Sequence, residues 1–191
     1  MLTEPRFLRV VLLHLALIVI FGVLLPLRKG LAFLDPIMIT AYACIGVLFA
    51  PPAAARAFAG GRPQSMKEAW WRTAKAVGYG EGLALAMLIA GVATVSVDRR
   101  RLMLPDLDVL GEAIALGLAG SIALALLAGW LTLRFSAGAA RFGMRAIFLL
   151  LLLWFYLQAQ WLPEVPLRGV ELSFAISALM IILLRRQVHP R

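Results

Sequence analysis

Six apolar runs alternate with short polar stretches along the chain, at 10–27, 37–55, 77–97, 109–133, 146–162 and 169–184. An α-helix rises 1.5 Å per residue, so about 20 apolar residues cover the hydrocarbon core of a bilayer. Each run approaches that length. The pattern predicts an all-α, polytopic membrane protein, a single transmembrane domain over 1–191 with six transmembrane helices. The last two runs are the shortest, and Pro163-Glu164-Val165-Pro166 between them cannot continue a helix smoothly. A five-span alternative treats that pair as a re-entrant hairpin. The first run follows Arg6 and Arg9, as the core of a signal peptide does. It ends in Leu24-Leu25-Pro26 with no small-residue cleavage pattern, so it reads as an uncleaved span.

Composition agrees with the pattern. Of the 191 residues 62% are hydrophobic and 15% charged, too little polar surface for a soluble domain. The spans and their short connections account for the whole stretch, which leaves no soluble catalytic domain within it. A net charge of +9 raises the question of nucleic acid. The basic residues, however, lie between the apolar runs instead of forming one stripe or tail, which argues against nucleic acid and for topology. With the N-terminus inside, thirteen of the Lys and Arg residues fall in cytoplasmic segments. Six (Arg28, Lys29, Arg99, Arg100, Arg101 and Arg168) fall outside. That asymmetry predicts both termini in the cytoplasm and a multi-pass location in the cell inner membrane. The single cysteine, Cys44, allows no intramolecular disulfide and reads as a small packing residue.

Two connections are more than turns. In the outer loop 98–111, Arg99-Arg100-Arg101 is followed by Leu102-Met103-Leu104-Pro105. Either the arginines meet headgroups while the apolar triplet dips inward, or the loop is simply solvated. In the inner connection, Gly60-Gly61-Arg62-Pro63 breaks a helix and Ser65-Met66-Lys67-Glu68 fits a capping box that starts another. The helix over 65–76 places Met66, Ala69, Trp70, Thr73 and Val77 on one face, with Lys67, Arg72 and Lys75 on the other flank. It is a short cytoplasmic amphipathic helix with tryptophan at headgroup depth. Two readings stand: an anchor on the membrane surface, or a contact for a cytoplasmic partner through Ser65, Glu68, Trp70, Trp71 and Arg72.

An ionisable group inside a membrane is expensive, which makes each one a candidate for function. Glu81 heads the list, within Gly78-Tyr79-Gly80-Glu81-Gly82 about one turn inside the third run. Three glycines there lower helix propensity and let helices approach. The carboxylate binds a cation or proton or gates a path; otherwise it pairs with Lys75, Arg134 or Arg141 as a structural ion pair. His14, one turn into the first run, either titrates near neutral pH or hydrogen-bonds a neighbouring helix. Gln158 and Gln160 stand beside Trp154, Tyr156 and Trp161, as cavity-lining groups or as part of an aromatic belt. Ala115, Ala119 and Ala123 in the fourth run, and Ser173 and Ser177 in the sixth, have the spacing of close helix packing. Pro51-Pro52 should kink or end the second helix early.

Enzymatic signatures are missing: no H-E-x-x-H zinc motif, no nucleophile elbow around Gly120-Ser121 and no phosphate-binding P-loop. The expectation is a non-enzyme with no catalytic residue, no cofactor and no metal. Six spans with both ends inside, the amphipathic helix 65–76 and the broken outer corner 163–166 together resemble ABC-2 type exporter permeases in layout, over the whole chain. That resemblance implies a permease subunit, pairing as a homodimer or with another permease, whose segment 65–76 engages a separate cytoplasmic ATPase. Two other classes fit the size. One is the small-molecule-binding membrane component of an energy-coupling-factor importer, using Gln158, Gln160 and Trp161. The other is a non-catalytic accessory subunit of a larger membrane complex.

Overall fold

In the computed structural model the described residues are 5–135, 138, 143 and 165–188, and their regular structure is all helical. Helix α1 (Pro5–Val19) runs into a π-helical turn (Ile20–Leu24), a short α2 (Leu25–Lys29) and a 3-10 turn (Gly30–Leu34). Next come α3 (Pro36–Ala43), α4 (Gly46–Ala59), α5 (Met66–Asp98) and α6 (Leu107–Arg134), and α7 spans Val165–Val188. Four helical stretches are long and apolar enough to cross a membrane: Leu8–Leu34, Pro36–Ala59, Met66–Asp98 and Leu107–Arg134. They carry the first four predicted spans. The fifth, 146–162, lies outside the described residues together with Gln158, Gln160 and their aromatic neighbours. The sixth, 169–184, falls within α7.

The first stretch owes its shape to Pro26. Proline has no N–H, so the carbonyls of Gly22 and Phe21, four and five residues back, lose the donor that position supplies in the α or π register. The Leu25 amide already bonds the Ile20 carbonyl, five residues back. Neighbouring helices fill the gap. The Tyr42 hydroxyl of α3 donates to the Phe21 carbonyl, and Thr94 Oγ1 of α5 donates to the Gly22 carbonyl at 2.9 Å. In a lipid-facing segment each carbonyl left bare would cost several kcal/mol.

The second stretch is interrupted at Cys44–Ile45, a break the sequence reading did not foresee. There the ladder tightens: Ile45 bonds the Tyr42 carbonyl at 3.1 Å and Val47 bonds Cys44 at 3.1 Å, each three residues back. The bypassed Ala43 carbonyl lies against Gly117 of α6, where an added Cβ would stand 2.3 Å from its oxygen. Of the two outcomes expected of Pro51-Pro52, a kink or an early end, the early end does not occur: the helix continues through both prolines to Ala59.

The inner amphipathic helix and the third span, predicted as separate elements, are one 33-residue helix. No proline lies between Pro63 and Pro105, so nothing between 65 and 98 removes a backbone donor. At 1.5 Å per residue α5 is about 50 Å long against a core of about 30 Å, so its polar first turns stand outside the apolar stretch. At the other end Arg100 (φ 52) closes α5 in the left-handed conformation, with Arg101 N–H bonding the Ser96 carbonyl at 3.1 Å. Ser96 Oγ then holds both backbone groups of Met103, which packs on the core, while Leu102 and Leu104 remain exposed.

The middle of the bundle is built from small side chains: Ala50 and Ala54 of α4, Ala76 and Val77 of α5, and Ala125 and Ala128 of α6. Lipid provides little hydrophobic drive between helices, so close backbone approach through small residues supplies the packing. Bulkier clusters flank this layer, one around Phe33, Ile39 and Met87, the other joining Phe58, Ala69 and Leu126 to Met180 and Leu184 of α7. Outward-facing Leu12, Leu13, Leu15, Leu85 and Ile89 are exposed, as expected of surfaces meeting lipid.

Candidate functional site

Where α4, α5 and α6 pack together, a carboxylate and a hydroxyl meet beside the helix break. Ser121 Oγ of α6 donates to Glu81 Oε1 of α5 at 2.5 Å, and Ser121 is fully buried. Ser121 lies at the midpoint of α6, about 20 Å from either end at 1.5 Å per residue. Glu81 is likewise near the middle of α5. Its carboxyl lies across Gly46, the first residue of α4: a Cβ there would stand 2.1 Å from Oε1 and 3.1 Å from Oε2. Gly80 performs the matching service on α5, where a Cβ would meet the Gly46 carbonyl at 2.7 Å. The half-buried Cys44 lies in the break itself, two residues before Gly46.

The sequence placed Glu81 one turn inside the third span, within reach of inner-boundary cations. Among the described residues no cation pairs with Glu81, and neither Lys75 nor Arg134 reaches it. Arg141 lies outside the described residues. Of the three glycines around it only Gly80 serves helix approach, because Gly78 and Gly82 have nothing within 4 Å of an added Cβ.

Ser121 was not among the predicted site residues. Its signal was present as a row of small residues at four-residue spacing: Ala113, Gly117, Ser121, Ala125 and Gly129, all buried. The row predicted instead, Ala115, Ala119 and Ala123, turns from exposed to buried along its length, so only its end meets the bundle. In α7, Ser177 Oγ donates to the Ser173 carbonyl at 2.8 Å, while Met180 and Leu184 reach the core.

His14 is placed elsewhere. Its Nδ1 bonds the Val10 carbonyl at 2.6 Å, and its Nε2 meets the Tyr79 hydroxyl of α5. A carbonyl only accepts, so Nδ1 donates the proton of the bond to Val10. Tyr79 and Glu81 are two residues apart, about 200° around the helix, so the structure does not bring His14 and Glu81 together. His14 ties α1 to α5.

The predicted partner-contact residues divide into two groups. Ser65 Oγ accepts the Glu68 amide at 3.2 Å, and Glu68 Oε2 reaches back to the Gln64 amide at 2.7 Å, one residue beyond the position a capping box uses. Arg72 donates to Glu68 Oε1 at 2.6 Å and to the carbonyls of Ala57 and Gly61 at 3.0 and 2.7 Å, closing the end of α4. The Gln64 amide first, and Arg72 second, hold the Glu68 carboxyl below its ordinary range. Ser65, Glu68 and Arg72 thus form a clasp between α4 and α5. Trp70 and Trp71 stay open, 41% and 61% exposed, with Lys75 Nζ 5.1 Å from the Trp71 ring centre. Trp70 does not share the buried face, which is made by Ala69, Thr73, Ala76 and Val77.

No group of three or more His, Cys, Asp or Glu residues suited to a metal ion occurs among the described residues. Comparison with known protein families, with curated proteins and with solved structures finds no match to this chain.

Proposed function

We propose that the chain is an integral component of a membrane transport system, with six spans and both termini inside, in which Glu81 contacts the ion or solute that moves. One observation carries this reading: a carboxyl with no partner cation among the described residues meets a serine at the midpoint of α6, against an interrupted helix. A packing role needs no charge there, and a structural ion pair needs a cation. Intramembrane ionisable groups beside broken helices are the usual construction of transport sites, because the break turns backbone dipoles toward a ligand. The test compares total small-solute content of cells carrying the wild-type chain, a deletion, or Glu81→Gln at equal membrane abundance. Glu81→Gln should reproduce the deletion. A Gln variant indistinguishable from wild type removes Glu81 from the mechanism, and a deletion without effect on any solute removes the transport reading.

A second reading makes the chain the permease subunit of an ABC-type transporter, pairing with a second copy or another permease and driven by a separate cytoplasmic ATPase. The continuity of α5 favours it. The exposed Trp70-Trp71 pair and Glu81 are on one uninterrupted helix, about 15 Å apart along its axis. A partner pressing on the tryptophans would therefore move the carboxyl directly. An ATPase should copurify with the native chain and be lost from the Trp70→Ala/Trp71→Ala variant; its retention by that variant would place the contact elsewhere.

A further inference from the structure

We infer that the ligand of the Glu81 site is a proton, exchanged at the seam between the bundle and the lipid-facing side of α5. This rests on the transport reading and narrows it. Among the described residues, the elements packed around Glu81 bring it one other titratable group, the Cys44 thiol at the break. From α6 comes the Ser121 hydroxyl, which is neutral. Among the described residues, the nearest cations along these helices are Lys75 on α5, Arg56 on α4 and Arg134 on α6. They stand six residues from Glu81, ten from Gly46 and thirteen from Ser121, about 9 to 20 Å along the helix axes. A charge so isolated is costly in an apolar medium, and a proton is the smallest ligand that removes it.

A metal ion fits poorly. Divalent cations take about six or more oxygen ligands. Here one carboxyl already accepts the hydrogen of Ser121 and lies flat on the Gly46 backbone, which closes that face. Access is open on the other side. Glu81 is half-buried, at the edge of the strip formed by Gly78, Gly82 and Leu85, and no atom crowds the two glycines. Uptake is H⁺ joining the carboxylate, and release returns H⁺ to water, with no other bond made or broken.

A lipid-soluble carbodiimide reads this chemistry. It adds across the O–H of a protonated carboxyl, the hydrogen passing to its nitrogen and the carboxyl oxygen to its central carbon. Rearrangement to the acylurea keeps the reagent's full mass on the protein. The full-length chain in lipid nanodiscs is treated with dicyclohexylcarbodiimide from about pH 5 to about pH 9, starting near the ordinary carboxylate range, and the adduct is mapped by mass spectrometry. The expected result is an adduct at Glu81 whose rate falls about tenfold per pH unit above its midpoint. It should persist in Cys44→Ser and be unchanged by sodium, potassium, magnesium or calcium at fixed pH. No adduct at Glu81, a rate independent of pH, or protection by one of those cations overturns the proton assignment. Such labelling alongside a deletion with wild-type solute content retires the transport reading alone. Absent labelling alongside a Gln variant that mimics the deletion retires the proton site alone.

Discussion

At Pro26 one missing hydrogen shapes three helices. Without an N–H at that position, the Phe21 and Gly22 carbonyls turn to Tyr42 and Thr94, which stitch the first stretch to α3 and α5. Tyr42→Phe should lower unfolding stability in detergent by roughly 1 kcal/mol, the scale of hydrogen bonds within membranes plus the cost of a carbonyl left bare. In a Pro26→Ala background the restored amide can take over that carbonyl, and the same substitution should cost clearly less. Strict additivity of the two changes, within about 0.5 kcal/mol, would show that proline and tyrosine are not coupled. The hydroxyl at residue 121 acts on the same scale. Glu81 was legible in the sequence because a carboxylate in an apolar run is rare and costly. Ser121 was not, because a serine among alanines and glycines costs little and announces itself only through the helix face it shares with them.

Among the elements, α6 shows how much periodicity reveals and where it stops. Small residues recur at four-residue intervals on two rows about 200° apart around the helix, and the sequence does not say which row faces inward. Contacts decide: Gly117 receives the Ala43 carbonyl and Ser121 receives Glu81, so the row with the hydroxyl is buried. The start of α5 was legible to the residue, since the Ser65–Glu68 pair is a local signal and its hydrogen bond forms. Its continuity into the apolar run was less so. The drop from polar to apolar composition at residue 77 suggested a boundary, but composition marks a change of solvent, not the end of a hydrogen-bond ladder. The break at Cys44–Ile45 left no local mark at all. Neither residue is a helix breaker; what accompanies the interruption is tertiary, with Gly46, Gly80 and Gly117 letting three backbones come within side-chain-free distance.

On the scale of the whole molecule, the apolar runs at once revealed helices long enough to cross a bilayer, since lipid leaves the backbone no alternative to internal hydrogen bonding. Counted from the start of the apolar run Glu81 is one turn in, and the serine it bonds lies at the centre of α6. The proposed function depends on that centre being a bilayer's centre, which requires the two ends of α5 to open on opposite sides. Single cysteines at Gln64 and Arg101, both exposed, report this in a Cys44→Ser background. With a membrane-impermeant maleimide, Arg101→Cys should label in intact cells and Gln64→Cys only after permeabilisation. Labelling of both in intact cells, or of neither before permeabilisation, would mean that α5 does not cross the membrane and that Glu81 is not buried within it.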